Sequence, residues 1–327
     1  MDHPNTPGAV QEADGGSEEE VVNATLDVLR TYFSKNSEMH CFLAVDPAQR
    51  DLTDEERSGP DAAASRAVVE IDHDGFPEAH QPYLIELDLA TPTGMTLLKE
   101  SVRLAHEDRR PESMAAGLGQ RIGGWLASSA SLAEVAAHWS GHALQYDDQG
   151  HACVLRFYDA RALSLIWPML SGRQQQALLG PVKVWHALDA SARPRVYSQT
   201  GESNRELALT AAQWQQIHRH GPINRALALH AVAKGRQPKP SDIETAVAAA
   251  ERAERYGLAD RNDHIAFIGH ALAWHPQFDL YPKVLSVLGN MAPDDFYTAG
   301  ISELTQADIA DIRSGAWYDR LTPPTLR

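Results

Sequence analysis

Cysteine is scarce in this chain, and long apolar runs are missing from it. Among its 327 residues only Cys41 and Cys153 are cysteines, too few for a disulfide framework. No apolar stretch approaches the roughly 18 residues needed to cross a bilayer. The N-terminal sequence MDHPNTPGAV has neither the basic nor the apolar region of a secretory signal. These features predict a protein of the reducing cytoplasm that does not insert into membranes.

Basic residues are also in deficit. The sequence has 29 Lys and Arg against 44 Asp and Glu, a formal net charge of −15. A protein that neutralises phosphates needs a basic surface, so this balance argues against nucleic acid as a partner. It disfavours docking to an anionic membrane for the same reason. A protein partner or a small molecule remains.

Familiar catalytic motifs are missing as well. The sequence contains no GxSxG, no GxxxxGK[ST] and no CxxC. The stretch GLGQRIGG at 117–124 has the wrong spacing for a dinucleotide fingerprint and precedes a predicted strand. DHDG at 72–75 lacks the spaced oxygen ligands of a calcium loop. We therefore predict no catalytic residue and no cofactor.

The histidines are the remaining candidates for metal ligands. His138 and His142 stand four residues apart on one predicted helix, a spacing that can hold zinc. Neither a third ligand nor an HExxH arrangement accompanies them, so we predict locally bonded histidines and no metal site. His218 and His220, in IHRHG, are predicted to lie at a helix end, where a protonated imidazole favours the helix dipole.

Hydrophobic periodicity divides the chain into three parts. Residues 1–18, rich in Pro, Gly and acidic residues, are predicted to be a disordered tail. Residues 19–200 mix helices with strands, and residues 201–327 show helical patterns and a short C-terminal tail. The polar stretch 188–205 is predicted to be the linker. The predicted fold class is α+β, a mixed N-terminal lobe with a mostly antiparallel sheet followed by a smaller all-helical lobe.

Local signals place the elements within these lobes. PYLIELDL alternates apolar residues with Glu86 and Asp88, the pattern of a half-buried strand. Gly150 suits the turn of a hairpin between HALQY and CVLRFY. Gly257 is typical of a residue that closes a helix. Further predicted strands are CFLAVD, AVVEI, RIGGWLAS and VKVWHAL; predicted helix starts are Ser131 with Glu134, Thr210 with Gln213, Ser241 with Glu244, and Thr305 with Asp308.

The stretch CVLRFYDARALSLIWP, at 153–168, predicts a strand that breaks into a helix. Alternation places Arg156 and Tyr158 on one strand face and Phe157 on the other. Asp159 is positioned to cap the helix predicted over Ala160–Leu170. Arg156 can reach that carboxylate or a neighbouring strand. This architectural interpretation accounts for every residue without a substrate.

The same stretch belongs to a block that resembles the type VI secretion effector chaperone or adaptor family, called Tap or Tec. The likeness extends over about residues 40–290 and is strongest at 156–163. One departure is Ala160, where the family usually has proline. The residues that carry the resemblance are Gly124 to Ser128, Gly150, Arg156, Phe157, Tyr158, Asp159, Arg161, Gly180, Pro181 and Trp185.

The resemblance implies a non-catalytic cytoplasmic protein. Members of this family bind the N-terminal region of a toxic effector and help to load it onto the VgrG spike. Two other functions stay open, an immunity protein that neutralises a toxin and an enzyme without a recognisable motif. A chaperone of this kind is expected to offer an apolar groove. We place that groove on the helical lobe, on a helix with two apolar stripes, which are Ile265, Ile268 and Leu272, and Phe267, Ala271 and Trp274. Phe267 and Trp274 are the residues predicted to bind an effector, and the alternative is a helix buried on both sides.

Overall fold

The computed structural model describes residues 18–48, 50–53, 66–116, 119–198, 207–292 and 294–321. The predicted tail at 1–18 lies outside these residues except for Glu18, where the first helix begins. The described residues form a mixed N-terminal part and a helical C-terminal part, as predicted. The strands are β1 His40–Val45, β2 Arg66–Val68, β3 Tyr83–Leu87, β4 Ile122–Ser128, β5 Leu144–Tyr146, β6 Ala152–Val154, β7 Val182–Leu188 and β8 Pro194–Ser198.

Before residue 182 the helices are interspersed with the strands. From residue 211 onward the regular elements described are helices. In the N-terminal part they are α1 Glu18–Lys35, α2 Pro92–Glu107, α3 Pro111–Ala115, α4 Leu132–Ala143, α5 Ala160–Ile166 and α6 Gly172–Leu179. In the C-terminal part they are α7 Ala211–Lys234, α8 Pro240–Arg255, α9 Arg261–Ala273, α10 Pro282–Asn290, α11 Tyr297–Ile301, α12 Gln306–Ser314 and α13 Ala316–Leu321.

Six strands form one antiparallel sheet in the order β2-β3-β1-β4-β7-β8. Helices cover both faces of this sheet, so its central strands are buried on both sides. In β1, Phe42 and Ala44 point to one core, whereas Cys41 and Leu43 point to the other. Helices α1 and α2 pack on the second core, and α4, α5 and α6 pack on the first.

The prediction of a half-buried β3 is therefore wrong. Leu84, which the alternation places opposite Tyr83 and Ile85, is fully buried in the first core. Glu86 lies at the end of the strand, where its carboxylate contacts His40 Nδ1 at 2.7 Å. A strand covered on both faces carries apolar residues at successive positions, which weakens the period-2 signal.

The predicted hairpin forms, but it stands apart from the main sheet. Strands β5 and β6 pair with each other alone, and Gly150 adopts a φ of +82° in their turn. Strand β6 ends at Val154, so the alternation predicted through Tyr158 is wrong. Phe157 and Tyr158 are both buried in the first core instead of facing opposite sides.

The predicted linker at 188–205 is partly wrong. Pro194–Ser198 is strand β8, paired with β7 at the edge of the sheet. Asp189 is buried at the β7–β8 turn, where its Oδ1 accepts the amide hydrogens of Ser191 (2.8 Å) and Arg193 (3.0 Å). Residues 199–205 lie outside the described residues, so the division of the chain into domains stays a prediction.

Three predicted helix starts in the described residues are confirmed, and one is wrong. Ser131, Thr210 and Thr305 each form a capping box with the side chain three residues later. Helix α8 instead begins after Lys239, whose amide donates to Asp242 at 2.8 Å, and not at Ser241. Gly257 closes this helix with a φ of +75°, as predicted.

Helix α7 continues through the sequence IHRHGP, so the prediction that this segment ends a helix is wrong. His218 and His220 lie in the middle of the helix, and Pro222 is accommodated inside it. The helix packs against α8 and α9, and tertiary packing of this kind outweighs the local cost of a proline. Among the described residues, no helix is both long and apolar enough to span a bilayer.

Candidate functional site

The corner after β6 brings the charged motif residues to the junction of the two lobes. The Leu155 amide donates to Ala143 O at 2.8 Å, which ties the chain to the end of α4. Phe157 then packs edge-on against Trp139 and Trp185, at ring-centroid distances of 5.2 and 6.4 Å. These rings hold the backbone from the core side, and Arg156 and Asp159 on either side of Phe157 line a cleft together with residues of α7.

Asp159 caps α5 and forms an ion pair at the same time. Its Oδ1 accepts from the Arg161 amide at 3.0 Å, and its two oxygens accept from Arg161 Nε and Nη2 at 3.1 and 2.7 Å. Burial opposes ionisation of this carboxylate, but Arg161, Arg156 and Arg109 hold its pKa well below the usual range. The predicted cap is confirmed, and Asp159 is ionised at neutral pH.

Arg156 reaches across the fold to strand β1. Its Nη2 donates to Asp46, which directly follows β1 and lies 110 residues earlier in the chain. Burial raises the pKa of Asp46, an effect that the positive charge of Arg156 opposes. The Nε of Arg156 is buried without a hydrogen-bond partner. This contact confirms the alternative in which Arg156 pairs with a neighbouring strand.

A second, deeper ion pair supports the same corner. Arg121 is fully buried, and its Nε and Nη2 donate to the two oxygens of Asp108 at 3.0 and 2.6 Å. Arg109 is also buried and donates to the carbonyls of Asp189 (2.6 Å) and Leu188 (2.9 Å). Burial and the charge of Arg161 lower the pKa of Arg109 to about 10. The sequence did not predict these contacts. Arg121 pairs with a residue outside its own element, and Arg109 pairs with distant backbone carbonyls that any residue type could supply.

The remaining motif residues are packed at the far side of the first core. Gly180 ends α6 with a φ of +54°, and a Cβ there would lie 2.2 Å from His138 Nε2. The carbonyl of Pro181 accepts from Ser128 Oγ at 2.8 Å. Trp185 is fully buried, and its Nε1 donates to Gly123 O at 3.2 Å. Their functional importance stays a prediction, while their contacts here are architectural.

A cleft of about 420 Å³ lies where the corner meets the helical lobe. The corner contributes Arg156, Asp159 and Arg161 to its lining, and the start of α9 contributes Arg261. Helix α7 supplies one wall, with Ile217, His220, Gly221, Asn224, Arg225 and Ala228. Burial lowers the pKa of His220 to about 4, so its imidazole is neutral in this wall.

The aromatic stripe predicted to bind an effector is largely core. Phe267 is fully buried and packs against Phe278 and Tyr297, at centroid distances of 4.8 and 5.5 Å. Trp274 is half-buried and stacks on His270 at 3.9 Å. A groove of about 490 Å³ between α7 and α9 is lined by Leu229 and Ile265, not by these two rings.

This placement corrects the expected location of an apolar groove at Phe267. Helix α9 carries two apolar stripes because it packs against α7 on one side and α8 on the other. An effector-binding role for Trp274 stays a prediction.

The histidine pair forms local contacts. His138 Nε2 lies 2.9 Å from Ala177 O, and His142 Nδ1 lies 2.8 Å from His138 O. A different group, Asp147, Cys153 and His218, has ligand-type atoms within 4.8 Å of one another. Sequence reasoning did not link these three, because His218 comes from α7. Asp147 serves as a turn residue here, since its Oδ1 accepts the amide hydrogens of Gln149 and His151 at 2.9 and 2.8 Å.

The described residues thus form an α+β part in which the ion pair of Asp159 and Arg161 lies at a cleft with the helical part. Residues 43–177 match the family model described as "Domain of unknown function (DUF4123)", which is known as the type VI secretion Tap/Tec effector adaptor domain. Residues 43–177, which are less than half of the chain, are therefore similar to this adaptor domain, and the resemblance is confirmed over these residues. No curated protein and no solved structure matches the chain.

Proposed function

We propose that this protein is a cytoplasmic chaperone that binds the N-terminal region of a type VI secretion effector and helps to load it onto the VgrG spike. The observation that carries the proposal is the adaptor-domain match over residues 43–177. The match includes the corner with Arg156, Asp159 and Arg161, so the junction between the lobes belongs in part to the adaptor domain.

The chemistry of the site supports a binding function over a catalytic one. Asp159 is engaged by Arg161, and Asp108 is engaged by Arg121. A general base needs a carboxylate or imidazole that can take a proton near neutral pH. The pKa of Asp159 lies well below that range, and His220 is held neutral in a wall without a nucleophile beside it. We propose on these grounds that the protein is not an enzyme. The net charge of −15 supports our further proposal that proteins are its partners, with neither nucleic acid nor membrane insertion involved.

Co-purification with the effector encoded beside this gene tests the proposal. We expect the tagged protein to retain the full-length effector but not an effector that lacks its N-terminal region. VgrG carrying a different tag should be recovered with the adaptor only when the effector is present. An effector that remains soluble and is delivered normally in a strain without this gene would contradict the proposal.

A further inference from the structure

We infer that the cleft between the two lobes binds a carboxylate-rich segment of the partner, through Arg225 and Arg261. The inference rests on the proposed function for the identity of the partner and adds the site and the chemistry that it recognises. Three observations on the described residues lead to it: the charge of the walls, the engagement of the cleft's own carboxylates, and the position of the free arginines.

The lining of the cleft holds four arginines against two carboxylates, in a chain that carries 44 acidic residues and only 29 basic ones. Helix α7, over Ala211–Lys234, has Arg219, Arg225 and Lys234 but no Asp or Glu. The opposite wall, between Val154 and Ile166, contributes Arg156 and Arg161, with Asp159 as the one carboxylate of that segment. A local excess of positive charge on a protein of net charge −15 favours an acidic partner at that place.

The two carboxylates in the lining cannot neutralise this charge. Asp159 is held by the guanidinium of Arg161, and Asp108 is held by that of Arg121. Among the described residues, neither Arg225 nor Arg261 has a carboxylate within ion-pair distance. Both side chains are exposed and line the cleft. Their donors are therefore open to a ligand that enters it.

The position of Arg261 is not explained by helix stability. Arg261 is the first residue of α9, and Asp260 caps this helix by accepting from the amides of Asn262 and Asp263 at 2.8 and 3.0 Å. A cation at a helix N-terminus opposes the helix dipole. Arg261 nevertheless lies beside α7, 3.8 Å from the position that a Cβ on Gly221 would take. A functional contact in the cleft accounts for this placement.

The size of the cleft and the type of donor point to carboxylates of a peptide. A volume of about 420 Å³ accommodates two or three side chains but not a nucleic-acid helix. Planar guanidinium groups bind carboxylates through two parallel hydrogen bonds, which gives both charge and shape recognition. Because the corner contributes one side of the cleft and the helical lobe the other, a segment bound there would contact both lobes.

The test uses the full-length chain and charge reversal. Arg225→Glu with Arg261→Glu is compared with Arg173→Glu with Lys234→Glu, a control that changes the net charge equally at exposed positions outside the cleft. We expect the first variant to bind the adjacent effector at least about tenfold more weakly and the control to bind as the wild type. Melting temperatures of both variants should stay close to that of the wild type.

Synthetic probes separate the ligand chemistry from the identity of the partner. We expect a hexaglutamate peptide to bind in a salt-sensitive manner that requires Arg225 and Arg261, and hexaglutamine not to bind. Wild-type effector affinity in the Arg225→Glu and Arg261→Glu variant would overturn the inference. Binding of inorganic phosphate in place of hexaglutamate would also overturn it. Hexaglutamate binding without effector binding would overturn the proposed function and leave the cleft assignment standing.

Discussion

The two lobes are stabilised by different kinds of buried residues. The N-terminal lobe buries arginines, with Arg121 fully buried and Arg109 only 4 % exposed. The helical lobe buries no arginine among the described residues; its fully buried charge is Asp279, which lies 3.1 Å from Nε of the partly exposed Arg252. The difference teaches that the sheet lobe takes whole guanidinium groups into its interior, whereas the helical lobe buries a carboxylate, beside a core in which Phe267 is fully buried. Five sets of changes test this comparison.

The largest effect is expected when the buried charge pair is broken. Arg121→Met leaves the carboxylate of Asp108 buried without its guanidinium partner, which should lower the free energy of unfolding by about 3–5 kcal/mol. Chemical denaturation measures the change. The double variant Arg121→Met with Asp108→Asn removes the uncompensated charge and should recover part of the loss. A loss below about 1 kcal/mol in the single variant would contradict this role.

A cavity in the helical core should have a similar cost. Phe267→Ala removes a fully buried ring and should lower the free energy of unfolding by about 3–5 kcal/mol. Trp274→Ala should cost less, because Trp274 is only half-buried. Thermal melts and effector co-purification of both variants separate packing from binding. A Trp274→Asp variant that keeps its melting temperature but loses the effector would place Trp274 in a contact surface.

A smaller, pH-dependent effect is expected at the corner. The pKa of Asp159 is lower in the folded state than in the unfolded state, so the carboxylate stabilises the protein fully above about pH 4. This contribution is lost as the pH falls toward the folded-state pKa. The difference in melting temperature between the wild type and Asp159→Asn should therefore be largest near neutral pH and shrink below about pH 4. A difference that grows with acidity would contradict the assignment.

Asp159→Ala tests the same corner for binding. Removal of the cap should lower the free energy of unfolding by at least about 1 kcal/mol. Effector binding should fall only in step with folding. Full stability combined with lost binding would place Asp159 in the contact surface instead.

The smallest effects are expected at the exposed capping boxes, where the two lobes should behave alike. Ser131→Ala and Thr305→Ala each remove a hydroxyl that accepts from the third helical amide, worth about 1 kcal/mol. Ser131→Thr and Thr305→Ser serve as controls, because each retains a hydroxyl that accepts from the amide and donates to the carboxylate of the box. Two separate transitions in a thermal melt, each shifted by only one of the two alanine variants, would show that the lobes unfold separately.

The sequence predicts features that depend on near neighbours. The capping boxes at Ser131 and Thr210, the cap at Asp159 and the turn at Gly150 each involve residues within a few positions, and all are confirmed. The fold class follows from the same local patterns. Errors arise where tertiary packing outweighs them, as at His218 and His220, which α8 and α9 help to hold within a continuous helix.

The site required information that no local pattern holds. The partner of Arg156 is 110 residues away, and Arg109 binds backbone carbonyls that any residue type could supply. Arg225 and Arg261 reach the cleft only because α7 and α9 pack beside the corner. The motif residues were found from the sequence, but the charges that face them across the cleft were not.

The strand order has a consequence for folding during synthesis on the ribosome. Strand β1 pairs with β3 and with β4, whose Ser128 lies opposite His40, so the middle of the sheet forms from distant segments. Such long-range pairing is slow compared with the docking of neighbouring helices. The sheet is complete once β8 has emerged, and α7 is synthesised after β8. Helix α7 therefore meets a lobe whose strands have all been made, and the cleft is complete only after α9 has followed.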